Sequence, residues 1–135
     1  MTEPYQALEH TADTGFRVWG ATIEELFANA ALALVHTAMD ASGVEAKECY
    51  AIAATGVDRE EMLVNWLNEV LYWLDARRVA FARFEMTEVG KGAGWGEPRD
   101  DEKHPPRLVV KAVTFHQLKV EQREGGWVAE VFLDI

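Results

Sequence analysis

The chain has 135 residues, which is the length of one ordinary domain and enough to bury a hydrophobic core without disulfide bonds. Its hydrophobic fraction of 49% and charged fraction of 27% are typical of a globular protein and exclude a disordered one. The 13 basic and 23 acidic residues give a net charge of −10, which argues against direct, strong binding of nucleic acid. We therefore expect one domain over residues 1–135.

Two helices are predicted. Thr22 can cap the first, and Glu25 stands three residues later, as in a capping box. Apolar residues then recur on one helical face until the turn chemistry that follows Met39. Asp58 and Glu61 repeat the capping pattern at the start of the second helix, which should end near residues 77–78.

The remaining segments are predicted to be strands and loops. A short loop is expected at residues 9–13, and a long glycine- and proline-rich loop at residues 90–106. Residues 124–126 should form a hairpin turn between the last two strands. The predicted strands cover residues 16–20, 48–55, 79–89, 108–114, 118–120 and 127–133. This order predicts an α+β fold, with two helices packed on a mixed, largely antiparallel sheet. No internal repeat is apparent.

The compartment is indicated by the first residues and by the cysteine content. Residues 1–5 lack the basic and apolar regions of a secretory signal. The most apolar stretch, residues 27–39, is too short to span a bilayer. Cys49 is the single cysteine, so no internal disulfide can form, and its place in a strand predicts a core position. We expect a cytoplasmic protein that does not contact membranes.

No established catalytic motif is present. The glycine run at residues 90–96 lacks the Lys-Ser/Thr pair of a phosphate-binding loop, and Trp95 occupies the third glycine position of a dinucleotide-binding motif. The four histidines show no zinc-binding spacing, and Ser42 is not in a nucleophile elbow. The residues themselves therefore give no evidence of a catalytic site.

Carboxylates near the two ends of the chain form the first candidate site. Asp13 follows Glu9 and His10 in one polar segment, and the chain finishes on Asp134 and Ile135 after an apolar strand. Oxygens from Asp13, Asp134 and the terminal carboxylate of Ile135 would suit a hard cation such as Ca²⁺ or Mg²⁺. The alternative is that Asp13 forms an Asx-turn and the other carboxylates are solvated.

Lys111 is the second candidate. It lies in the predicted strand at residues 108–114, on the same face as Val109 and Val113 if the strand alternates. A lysine there needs water, a carboxylate or a phosphate for its ammonium group. The alternative is a lysine that protects an edge strand from pairing.

Several segments together resemble the archease family. The similarity covers nearly the whole chain, in the same order, at residues 10–15, 22–31, 63–69, 96–105, 111–116 and 127–135. Thr14 stands where the family more often has an aliphatic residue, and residues 90–96 look like a local expansion.

The resemblance implies an accessory protein, not an enzyme, that assists the RtcB-type RNA ligase. This ligase joins 2′,3′-cyclic-phosphate or 3′-phosphate ends to 5′-hydroxyl ends in tRNA splicing and RNA repair. The resemblance implies that this protein promotes guanylylation and multiple turnover of the ligase. It also implies a divalent metal, Ca²⁺ first and Mg²⁺ or Mn²⁺ as alternatives, on Asp13, Asp134 and Ile135. The family pattern gives Lys111 a functional role, and Glu9 and His10 are supporting candidates.

Two other functions stay open. A general chaperone, or an adaptor for RNA-processing proteins, would carry a purely structural metal. A metal-dependent hydrolase would need a general base or nucleophile that the sequence does not provide.

Overall fold

The computed structural model describes residues 4–10 and 13–135, without the side chains of Glu9, His10 and Asp13. Within these residues the chain forms two helices and seven strands. In chain order they are β1 (Tyr5–His10), β2 (Asp13–Gly20), α1 (Ile23–Ala38), β3 (Glu48–Ala53), α2 (Arg59–Asp75), β4 (Val79–Glu88), β5 (Lys91–Pro98), β6 (Ala112–Arg123) and β7 (Gly126–Asp134).

The strands form two sheets rather than the one expected. One sheet has the order β1-β2-β7-β6 and the other has the order β3-β5-β4. Every adjacent pair of these strands is antiparallel. The α+β prediction is therefore confirmed, and the pairing is wholly antiparallel within the described residues.

Both helices begin where their capping residues predict. The amide of Glu25 donates to Thr22 Oγ1 at 3.1 Å, and the amide of Glu61 donates to Asp58 Oδ1 at 2.8 Å. These bonds satisfy backbone donors that an uncapped helix would leave unpaired. Neither helix of the described part is long and apolar enough to cross a membrane.

The core lies between the helices and the inner faces of the two sheets. α1 packs on β2 and β4, one strand from each sheet, and α2 packs mainly on β6. The fully buried Trp66 of α2 joins the two helices, because its indole Nε1 donates to the carbonyl oxygen of Phe27 at 3.0 Å. The apolar faces that define the helices in the sequence are therefore the faces that build the core.

The long loop predicted at residues 90–106 is wrong in its first half. Residues 91–98 form β5, the central strand of the three-stranded sheet. Its glycines answer a packing requirement: a Cβ on Gly94 would lie 2.4 Å from the Phe81 ring, and one on Gly96 would lie 1.8 Å from the Ala80 carbonyl oxygen. Glycine at these positions lets β5 lie close to the Phe81 ring and to the backbone of β4, and its role is not to make the segment flexible.

Two smaller predictions also change. The expected loop at residues 9–13 is largely taken up by β1 and β2, because β1 runs to His10 and β2 begins at Asp13. Cys49 is exposed and not in the core. β3 is an edge strand that turns Tyr50 and Ile52 inward, so Cys49 lies on its outer face.

Candidate functional site

Three segments singled out from the sequence meet at one end of the four-stranded sheet. Thr14, at the start of β2, pairs with Leu133, and Ala112, the first residue of β6, pairs with Asp134. The amide of Lys111 donates to the carbonyl oxygen of Asp134 at 2.7 Å. The fold therefore brings the backbone of the first motif, of Lys111 and of the last two residues to the same end of the sheet.

The carboxylate site is only partly covered by the described residues. Glu9, His10 and Asp13 are predicted site residues whose side chains lie outside the description, although their backbones belong to β1 and β2. Asp134 and Ile135 are exposed at the end of β7. Among the described side chains no group of three His, Cys, Asp or Glu residues could hold a metal ion. The predicted metal site stays a prediction that depends on Asp13.

The donor chemistry at this end fits a hard cation. Asp134 offers carboxylate oxygens and Ile135 offers main-chain oxygens, and both are accessible to solvent. Both helices also end here: carbonyl groups of the last α1 residues accept bonds from Arg107 and Leu108, and Ala76, directly after α2, lines a pocket with Lys111. Since the C-terminal pole of a helix is partially negative, this end of the molecule favours positive charge.

Lys111 lies one residue before β6 and is exposed. The prediction that it shares a face with Val109 and Val113 is wrong, because Val113 is buried whereas Val109 is 75% exposed. The chain leaves strand alternation here because the residues before Lys111 bond to the end of α1 instead of to β7. Among the described side chains, none forms an ion pair with Lys111.

A pocket of about 220 Å³ lies beside Lys111, between the end of α2 and the start of β6. It is lined by Asn68, Leu71, Tyr72, Asp75, Ala76 and Lys111. Four of its six lining residues are uncharged, and Lys111 and Asp75 are the two that carry a charge.

Asn68 is a site residue that the sequence did not indicate. Its Oδ1 accepts from the Val113 amide at 2.9 Å, and its Nδ2 donates to the Val113 carbonyl oxygen at 3.1 Å. The side-chain amide thus replaces a neighbouring strand at the free edge of β6. The only available signal was an amide residue between the apolar positions of α2. Its effect is to fix the start of β6, two residues after Lys111.

The segment that leads to Lys111 is anchored by an ion cluster around a buried carboxylate. Glu97 is 4% exposed and accepts from Lys103 Nζ at 3.0 Å. That hydrogen bond, with further bonds from the Glu45 amide and from His104, lowers the pKa of Glu97 to about 2. His104 is fully buried and its Nδ1 accepts from the Asp100 amide, so Nε2 carries the proton and donates to Glu97 at 2.9 Å. The cluster therefore ties residues 97–104 to the core.

Comparisons with known proteins agree over the full length. The chain matches the family model "Archease protein family (MTH1598/TM1083)" over residues 5–135. It is 42% identical over 139 residues to "Protein archease" of Methanopyrus kandleri, covering 98% of this chain and 99% of that protein. The protein of the same name from Methanosarcina mazei is 39% identical and covers 97% of this chain, which spans 95% of the relative.

Solved structures show the same fold. The solution structure of protein 1598 from Methanobacterium thermoautotrophicum superposes with a TM-score of 0.79 at 34% identity, covering 99% of this chain and 100% of that one. The crystal structure of a Thermotoga maritima protein, described as an archease and possible chaperone, gives a TM-score of 0.64 at 20% identity over 96% of each chain. The second similarity supports the fold alone.

Proposed function

Since this chain belongs to the archease family, we propose that it is an accessory protein that activates an RtcB-type RNA ligase. In this proposal it promotes guanylylation and multiple turnover of the ligase in tRNA splicing or RNA repair. The observation that carries the proposal is the bond from the Lys111 amide to the Asp134 carbonyl oxygen. It places Lys111 at the same exposed end of the sheet as Asp134 and Ile135. The net charge of −10 favours contact with the ligase rather than with RNA.

The residues at this end of the sheet would have different roles. Asp13, Asp134 and Ile135 would hold a divalent cation, for which oxygen ligands of this kind suit Ca²⁺ or Mg²⁺, and the family resemblance favours Ca²⁺ over Mg²⁺ and Mn²⁺. The bound cation would supply positive charge close to phosphate oxygens. Lys111 would bind a phosphate oxygen of the nucleotide or of the released pyrophosphate, since its exposed ammonium group is not committed to any described carboxylate. Asn68 would keep Lys111 in place through Val113.

The test is a ligation time course with limiting ligase from the same source, GTP, Mn²⁺ and RNA with 2′,3′-cyclic-phosphate and 5′-hydroxyl ends. Wild-type protein should raise both turnover and guanylylation. Lys111→Ala and Asp134→Asn should fold normally and fail to stimulate. Lys119→Ala, within the strand β6 that follows Lys111, and Glu124→Gln, at the opposite end of the β6–β7 hairpin, are exposed controls that should stimulate fully. Full stimulation by Lys111→Ala and Asp134→Asn would contradict the proposal.

The second candidate function is a general chaperone or an adaptor for RNA-processing proteins, with a structural metal. The observation that favours it is the group of exposed hydrophobic side chains near Lys111. A chaperone should suppress aggregation of an unrelated client such as heated citrate synthase, and Lys111→Ala should suppress it equally well. An activator of one ligase should leave that client unprotected.

A further inference from the structure

Exposed hydrophobic side chains are concentrated at the end of the molecule that holds Lys111. Seven large hydrophobic residues of the described chain are exposed, and five of them lie at this end of the molecule. We call these five the apolar rim: Tyr72 at 49% exposed, Leu108 at 42%, Val109 at 75%, Phe115 at 58% and Ile135 at 50%. Such a cluster on a chain of this size is typical of a binding surface.

The fold explains why the rim surrounds Lys111. Val109 precedes Lys111 in the chain by two residues, and Tyr72 lines the same pocket as Lys111. Ile135 follows Asp134, which accepts the bond from the Lys111 amide. Phe115 follows the last pair before the irregular part of β6, Thr114 with Phe132. The rim therefore combines the end of α2, the approach to β6, and the end of β7.

Phe115 is presented by a bulge in β6. Thr114 pairs with Phe132 and Lys119 pairs with Glu130, so residues 115–118 oppose the single residue Val131. Gln117 has a φ of 53°, a left-handed conformation that costs a non-glycine residue energy. Bulges of this kind redirect side chains, and strained backbone persists where the surrounding structure enforces it. With regular pairing Phe115 would lie opposite the buried Val131, and the bulge instead leaves its phenyl ring exposed.

The chemistry of the rim favours a protein partner over RNA. Three of its five members are aliphatic, and two of the basic residues close to it in the chain already have partners, since Arg78 pairs with Asp101 and Arg107 donates to the His36 carbonyl oxygen. Nucleic-acid surfaces need several basic side chains that are available to neutralise phosphates, and a chain with a net charge of −10 is a poor candidate for such a surface. Exposed aromatic and aliphatic residues at the same end of a molecule as a lysine that forms no ion pair with the described side chains are typical of a protein interface.

We infer that the apolar rim is the surface through which this protein docks on the ligase, with Phe115 inserted into an apolar pocket of the partner. The inference rests on the proposed function and adds to it the contact surface. Charge complementarity defines the partner surface further: an anionic group of the ligase or of its bound nucleotide lies opposite Lys111. The rim would supply affinity, and Lys111 would act on the partner once docked.

The test is direct binding to the ligase from the same source, measured by calorimetry, for wild type, Phe115→Ser and Val109→Ser. The matched control is Val57→Ser, because Val57 is 87% exposed but precedes α2, at the helix end opposite Tyr72. Each rim variant should raise Kd by about tenfold or more, and the control by less than about twofold. Thermal unfolding should be unchanged, since these side chains are exposed.

Stimulation at two protein concentrations separates docking from activation. Rim variants should stimulate ligation weakly when limiting and fully when saturating, whereas Lys111→Ala should fail at both. If wild type stimulates the ligase and the rim variants bind like wild type, the docking inference is wrong and the proposed function stands. If wild type neither binds nor stimulates, both are wrong. Tight binding of labelled cyclic-phosphate RNA that Phe115→Ser abolishes would also overturn the docking inference.

Discussion

Replacing Asn68 with alanine is the sharpest test of how the fold builds the site. Two hydrogen bonds to the backbone of Val113 would be lost, at 2.9 Å and 3.1 Å. No neighbouring strand could replace them, because β6 is the edge strand of its sheet. The start of β6 would then be held only by β7, and Lys111 would lose its nearest fixed point on α2.

The magnitude follows from the bonds. Each contributes about 1 kcal/mol net, and a partly buried backbone group left unpaired adds about 1 kcal/mol more. Alanine recovers about 0.6 kcal/mol through its higher helix propensity. We expect Asn68→Ala to lower the free energy of unfolding by about 2–3 kcal/mol. Asn65→Ala is the matched control on the same helix, because Asn65 makes one exposed bond, to the Thr55 carbonyl oxygen at 2.7 Å. It should cost less than about 1 kcal/mol.

Urea unfolding followed by tryptophan fluorescence measures both variants, and amide hydrogen exchange at Val113 localises the effect. The Val113 amide should lose protection in Asn68→Ala and keep it in Asn65→Ala. Ligase stimulation should fall in Asn68→Ala under conditions where the variant is fully folded. Equal stabilities of the two variants, or an unchanged exchange rate at Val113, would refute the role given to Asn68.

The pKa of Glu97, lowered to about 2 by Lys103, predicts a stability contribution present above pH ~4.5 and lost towards pH 2. The Tm difference between wild type and Glu97→Gln should shrink over that range, and a constant difference would exclude the ion cluster as its source. Gly96→Ala should lower stability by about 3 kcal/mol or prevent folding, since its Cβ would lie 1.8 Å from a carbonyl oxygen. Gly125→Ala, with no atom within 4 Å and only a φ of 81° to oppose it, should cost about 1 kcal/mol in the same denaturation experiment. Cys49 is exposed, so Ellman's reagent should label the native protein at the rate of the unfolded one, and slow labelling would contradict its position on β3.

The helices were predictable because their signals are local. Thr22 and Asp58 cap amides three residues away, and a short window of sequence contains both partners of each bond. The final hairpin was predictable for the same reason, since Gly125 takes the positive φ of 81° that its turn requires.

β5 could not be predicted from its own residues. Its glycines look like a flexible loop because the reason for them lies elsewhere in the chain, in Phe81 and Ala80 of β4. The sequence alone does not distinguish a glycine that makes room for a distant ring from a glycine that forms a turn. The strand was therefore hidden by packing that only the tertiary structure reveals.

The candidate site was predictable in part. The sequence indicates Lys111 as a lysine inside a strand, which is not where the residue lies, and Asp134 as a carboxylate at the end of an apolar strand, which is where it lies. Neither local pattern indicates that the two are hydrogen-bonded through their backbones. Asn68 lies 45 residues from Val113 in sequence, so the bond between them depends on how α2 packs on β6.

No repeat is apparent in the sequence, yet the same strand-to-helix turn occurs twice in the structure. Asn29 Nδ2 donates to the Trp19 carbonyl oxygen, and Asn65 Nδ2 donates to that of Thr55, both at 2.7 Å and 36 residues apart in the chain. The shared positions serve only the turn between strand and helix, which is why the similarity is faint. Asn68 corresponds to Leu32 in the first unit, so the amide that holds β6 belongs to the second unit alone. The two helices have different neighbours, since α1 packs on β2 and β4 and α2 packs mainly on β6, so only the second unit faces a strand edge whose backbone a side-chain amide can satisfy.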